Sequence, residues 1–132
     1  MNHWSFKYIG KPYKGGACGP LFYDCWGLVR KIFEDELKTP LPPIHVDVTN
    51  IHKVVRAFKR YGEEINLNEI NKPKDLCIVQ MRKSKHPCHI GIYIEEFGGH
   101  VIHAVPATGV VCQTLDAVKQ SGWIIEGFYT KE

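Results

Sequence analysis

The sequence predicts one α+β domain over residues 1–132, with N-terminal helices packed on an antiparallel sheet of about five strands. Three observations carry this. At 132 residues the chain is long enough to build one core without disulfide or metal staples. Up to about residue 61 the apolar residues recur at helical spacing. Beyond Asp75 the period becomes extended, in runs rich in branched and aromatic residues separated by turn signals. No internal repeat, low-complexity tract or second domain is evident.

Residues 1–20 read as an irregular arm, because Gly10 to Pro20 carries four glycines and two prolines in eleven positions. A helix then opens at Cys25 behind Asp24, a good N-cap. Cys25, Leu28, Val29, Ile32, Phe33 and Leu37 fall on one face, and Thr39-Pro40 ends the run. Leu41-Pro42-Pro43 makes a rigid connector. A second helix is expected from Thr49 or Asn50 to Tyr61, with Ile51, Val54, Val55 and Phe58 inward and Gly62 at its end. Its other face shows Lys53, Arg56, Lys59 and Arg60, which reads as solvated surface. Residues 63–75 read as a loop or short helix. Strands are expected over Leu76–Met81, Cys88–Glu95, His100–Ala104, Gly109–Gln113 and Trp123–Thr130, with a helical turn at Leu115–Gln120.

A net charge of +3 is compatible with an anionic partner but requires none, and no nucleic-acid partner is read from it. No apolar run reaches membrane-spanning length, so no membrane insertion is expected. Met1 to Lys7 lacks the order of a signal peptide, so synthesis and folding in a cytoplasm are expected. The five cysteines, Cys18, Cys25, Cys77, Cys88 and Cys112, are odd in number and irregularly spaced. They suggest free thiols rather than a disulfide framework.

The chemistry centres on Cys25. A thiol at the first helical position feels the positive end of the helix dipole and unpaired N–H groups, which favour thiolate. The same position also suits a small buried hydrophobe. In His89-Ile90-Gly91-Ile92-Tyr93-Ile94 the side chains alternate, so His89, Gly91 and Tyr93 oppose three isoleucines. His89 and His103 are an even number of residues apart. A hairpin centred on Glu96 would pair His89 with His103 and Gly91 with Val101, with Cβ atoms roughly 5 Å apart. Cys25 as nucleophile, His89 as base and His103 as its orienting group then suit amide hydrolysis through a thioester. The oxyanion would meet the Cys25 backbone N–H, with the Tyr13 hydroxyl as a second donor. Tyr13 reads equally well as an aromatic anchor of the arm. A metal site at His86, Cys88, His89, His100 and His103 is disfavoured: the spacing fits no common zinc pattern, and alternation turns Cys88 away from His89. No cofactor is called for. The remaining cysteines read as structural thiols, and His3, His45 and His52 as surface or loop residues.

The ordered set Pro12-Tyr13, Gly15-Gly16, Asp24-Cys25-Trp26-Gly27-Leu28-Val29, Lys74-Asp75-Leu76, His89-Ile90-Gly91-Ile92-Tyr93-Ile94 and Val101-Ile102-His103-Ala104 resembles the NlpC-type papain-like cysteine peptidases of bacterial cell walls. The resemblance covers about residues 10–130. It implies a papain-like fold, Cys25 as nucleophile, His89 as base, His103 as its orienting partner and Tyr13 near the oxyanion. It also implies peptidoglycan stem peptides as substrate, commonly cut between D-glutamate and a diamino acid.

The chain departs from the family pattern in places. Trp26 stands where many members have serine, and a short Leu41-Pro42-Pro43 connector follows the first helix. Both resemble the branch encoded by phages and prophages, which accompanies tail-tip proteins; this implies phage tail proteins as partners and delivery by a virion or by lysis. Lys74 replaces the usual glycine before Asp75. Two other readings remain open: an idle or structural component of a tail tip, and an amidase or acyltransferase effector on another substrate.

Overall fold

The computed structural model describes residues 3–43, 51–84 and 86–131, the side chains of residues 51–54, 86 and 87 excepted. Its elements are helices α1 (Cys25–Leu37), α2 (Ile51–Glu64) and α3 (Leu115–Gln120), and strands β1 (Leu67–Ile70), β2 (Ile78–Lys83), β3 (His86–Ile94), β4 (His100–Val105), β5 (Gly109–Thr114) and β6 (Ile124–Lys131). The strands form one antiparallel sheet in the order β1-β6-β2-β3-β4-β5.

The first helix begins where the sequence predicts. Asp24 is extended, and its Oδ1 accepts from the Gly27 N–H at 2.6 Å, satisfying one of the free donors of the first turn. Its Oδ2 accepts from Gly16 N–H at 2.7 Å and ties the arm to the same turn. Leu28, Val29, Ile32 and Phe33 are buried, each worth about 1.5–3 kcal/mol of transfer free energy. Leu37 is instead exposed, because the helix closes at a left-handed Lys38 whose N–H returns to Phe33 O. Gly27 lets the arm cross the helix closely: a Cβ there would lie 2.0 Å from Ala17 O.

The second helix runs past Gly62 to Glu64, and a left-handed Asn66 turns the chain. Val55, expected inward, is exposed; Tyr61 takes the buried place, with Phe58 half-buried beside it. Ile51, Val54 and Lys53 lie outside the described side chains. Trp26 joins the two helices, its ring 4.6 Å from Tyr61 and 6.0 Å from Phe58, both edge-on. Arg30 Nε donates to Leu41 O, and the Tyr61 hydroxyl donates to Pro42 O, so the connector is fastened from both sides.

Among the described residues there are six strands where about five were expected. Residues 67–70, read as part of a loop or short helix, form β1 and pair with β6 from Leu67↔Lys131 to Ile70↔Phe128. Four residues, with Asn68 and Glu69 exposed at a sheet edge, carry too short an alternation to be recognised. Cores lie on both sheet faces. Trp26, Leu28, Ile32, Phe33, Ile90, Ile92, Ile94 and Ile102 pack beneath α1 and α2. Val79, Met81, Tyr93, Val101 and Trp123 pack with Val118 of α3 on the other side.

The β3–β4 register differs from the one predicted. The pairs are Ile92↔Ile102, Tyr93↔Val101 and Ile94↔His100, so neither His89↔His103 nor Gly91↔Val101 forms. The turn is centred one residue later, on a left-handed Phe97 followed by Gly98 and Gly99, both at positive φ. The shift is two positions, and parity is kept: both histidines stay on one face.

Candidate active site

Cys25 occupies the first helical position, between the core beneath α1 and strand β3. The β3–β4 ladder stops at Ile92↔Ile102, although both strands continue. Just beyond the end of the ladder the Ile90 N–H donates to the Cys25 sulfur, joined by the N–H groups of Trp26 and of Cys25 itself. These donors favour thiolate, as the helix-start argument expects. Burial and the neighbouring Asp24 carboxylate outweigh them and push the thiol up to about 12. Burial thus opposes the thiolate-favouring effect of the helix start.

His89 is buried on the opposite side of the same backbone. Its Nε2 lies 2.8 Å from Nδ1 of His103, which is fully buried. Trp123 stacks on the His89 ring at 4.1 Å with 14° between planes, and Lys83 Nζ sits 4.4 Å from the Trp123 ring centre. Burial lowers the pKa of His103; its hydrogen bond to Gln113 opposes this and nearby Lys83 adds to it, so the ring is neutral near pH 7. His103 Nε2 lies 2.9 Å from Gln113 Oε1.

Tyr13, on the arm, forms an isolated bridge with Tyr23 and packs against the core that holds Cys25. Burial, with Cys25 and Asp24 nearby, pushes its hydroxyl up to about 12, so it stays a protonated donor beside the thiol. Tyr13 is thus packed as an aromatic anchor of the arm.

Other candidates fall apart in space. Cys88 faces a groove of about 510 Å³ between α2 and the sheet, lined also by Trp26, Phe58, Tyr61 and Ile90, while His89 faces away from it. Among the described residues no three His, Cys, Asp or Glu side chains converge as metal ligands, and the His86 side chain lies outside them. Cys18 is exposed and Cys77 buried, and all five thiols are free. His3 is a loop residue, half-buried, whose Nδ1 accepts from Ser5 N–H and caps the short 3-10 turn Trp4–Lys7. His45 and His52 lie outside the described residues.

A match to the NlpC/P60 family spans residues 10–126, taking in Tyr13, Cys25, His89 and His103. The chain belongs to the NlpC/P60 family. Its fold is similar to the solved NlpC/p60 domain of the peptidoglycan hydrolase SagA, with a TM-score of 0.63 and 19% identity over 97% of this chain and 92% of that one. No curated protein matches. The papain-like α+β architecture is that of the family, and as an NlpC/P60 protein the chain is a cysteine peptidase.

Two residues of this NlpC/P60 site escape a reading of the sequence. Trp123 was legible only as the start of a strand; it lies just before β6 and covers the imidazole. Gln113 is a lone amide near a strand end, and its parity with Val111, which pairs with His103, is the only signal that pointed to it.

Proposed function

We propose that Cys25, His89 and His103 cleave amide bonds in peptidoglycan stem peptides, between D-glutamate and a diamino acid. The observation that carries this reading is the 2.8 Å His89–His103 hydrogen bond on the strand whose next N–H, that of Ile90, reaches the Cys25 sulfur. His89 takes the thiol proton as Sγ attacks the scissile carbonyl carbon. The C=O π bond opens to an oxyanion, received by the Cys25 N–H and the Tyr13 hydroxyl. The C–N bond then breaks, His89 returns its proton to the amine, and a thioester remains. Water, deprotonated by the same imidazole, hydrolyses it and restores the thiol.

In this reading burial opposes ionisation of the thiol, so the proton moves when substrate is in place. This is general-base activation rather than a standing ion pair. Mass spectrometry of purified muropeptides digested under reducing conditions tests the reading. New products from the wild type alone, absent with Cys25→Ala, identify the bond; the same products from both proteins would sink the mechanism.

Trp26, in the place of the common serine, and the Leu41-Pro42-Pro43 connector support assignment to the phage and prophage branch. In this reading the protein is made in the cytoplasm and reaches the wall with a phage tail or on lysis. Immunodetection on purified virions tests it, and a protein absent from virions but secreted with an adjacent immunity protein would favour an effector.

A further inference from the structure

Gln113 stands near the end of β5, two residues beyond Val111, which pairs with His103. Its amide lies between two partners: Oε1 is 2.9 Å from His103 Nε2, and Nε2 donates to Ser121 Oγ at 3.2 Å. Ser121 caps the end of α3, and its hydroxyl donates to Ala117 O at 2.9 Å. These contacts fix the direction of every proton along the line. A hydroxyl has one hydrogen, and that of Ser121 is committed to Ala117 O, so Ser121 meets Gln113 as an acceptor. The amide must turn its NH2 to Ser121 and its oxygen to His103. A carbonyl oxygen only accepts, so His103 carries hydrogen on Nε2. In a neutral ring Nδ1 is then a lone pair, and His89 must donate to it from Nε2. The lone pair of neutral His89 is thereby placed on Nδ1.

We propose that Gln113 is a positioning residue that, through His103, holds His89 in the Nε2–H tautomer, leaving Nδ1 to take the proton of the Cys25 thiol. The polarity of the whole line is set by one backbone carbonyl, that of Ala117 in α3. This rests on the reading of His89 as the base. It extends the constellation outward from three residues to five, and it explains why a second imidazole can orient the base without a carboxylate. An imidazole is ambivalent, able to accept or donate at either nitrogen; Gln113 removes that ambivalence.

The effect expected on removing Gln113 is partial. A base held wholly in the wrong tautomer costs ~10⁴ in rate, whereas here His103 stays in place and only loses its preference, so we expect a loss of about tenfold. Two readouts test it in the full chain. Nitrogen-15 NMR of the rings distinguishes Nδ1–H from Nε2–H, and peptide mass spectrometry follows alkylation of Cys25 by iodoacetamide separately from the other thiols.

In the wild type both rings are expected as Nε2–H. Gln113→Glu keeps an acceptor in place and should keep both tautomers, with alkylation within about threefold of wild type. Gln113→Leu removes the acceptor; His103 should become a mixture and Cys25 alkylation should slow about tenfold. Ser121→Ala frees the amide to turn and should also give a mixture, which keeps the test available if Gln113→Leu does not fold. A wild-type His103 carrying Nδ1–H, or unchanged rings in both Gln113→Leu and Ser121→Ala, overturns the proposal. Neither readout uses peptide hydrolysis, so a wild-type protein that cuts no muropeptide defeats the proposed function while the ring populations still decide this inference.

Discussion

A methyl group on Gly91 would lie 2.9 Å from the Cβ of His103 and 2.7 Å from Ile102 O. The two residues face each other just past the end of the β3–β4 ladder, and the His103 ring passes over Gly91 to reach His89. The glycine is thus needed for the space above it rather than for its backbone angles. Gly91→Ala is expected to cost about 1–3 kcal/mol in a urea unfolding experiment and to slow Cys25 alkylation by displacing His103. Wild-type values for both would mean that the strands part without cost.

Replacement of the reacting groups should show a graded pattern. Cys25→Ala leaves no nucleophile and should abolish muropeptide cleavage. His89→Ala should reduce kcat by about 10²–10⁴, the range for loss of a positioned base. His103→Ala should cost less, because that ring orients the base and carries none of the transferred proton. Steady-state kinetics on one isolated muropeptide decides this, and a loss at His103 equal to or greater than that at His89 would reverse the roles.

Asp24 acts on Cys25 in two opposing ways. It caps the helix that presents the thiol, and its negative charge disfavours thiolate. Asp24→Asn keeps an oxygen for the Gly27 N–H and removes the charge, so Cys25 alkylation should reach a given rate at a lower pH than in wild type. Asp24→Ala loses the cap as well and should cost about 1 kcal/mol of stability. An alkylation profile in Asp24→Asn that does not move, or moves to higher pH, would show that the carboxylate is not what opposes ionisation.

Stability should be greatest in a window set by His103 on one side and the buried thiols on the other. Burial lowers the pKa of His103 below its ordinary 6.5, so the folded chain binds fewer protons there than the unfolded chain, and stability falls as pH drops below about 6.5. Burial raises Cys25 to about 12 and Cys88 to about 11 from 9.0, so the folded chain holds protons that the unfolded chain has released, and stability falls as pH rises above about 9. Urea midpoints measured from pH 5 to 10.5 should form a plateau between these limits. A midpoint still rising at pH 10 would contradict the buried-thiol account.

The parts legible in the sequence were those that depend on parity and local chemistry. Asp24 before an apolar period located α1 and put Cys25 at its start, and the even spacing of His89 and His103 placed both rings on one face for any turn centred on a residue. The exact register was not legible, because it depends on the left-handed Phe97 beside Gly98 and Gly99, and any turn centred on a residue preserves parity equally well. The burial that opposes ionisation of the thiol was not legible for a related reason. A helix start is a local feature, whereas the desolvation that outweighs it comes from chain segments far apart in sequence. Gln113 and Trp123 reach the histidines only through the β4–β5 register and the approach to β6, which no local pattern encodes.

Cys25 packs with the core under α1, and His89 stacks on Trp123, which belongs to the core beside α3. The unit that joins the two layers is β3, which carries His89 and packs against α1, the helix that presents Cys25. Repacking either core would act on that unit as on the pivot of a balance, tilting thiol and imidazole relative to each other. A conservative change far from the reaction, in either layer, can then leave the protein folded and thermally sound yet slow, its two halves intact and merely out of true.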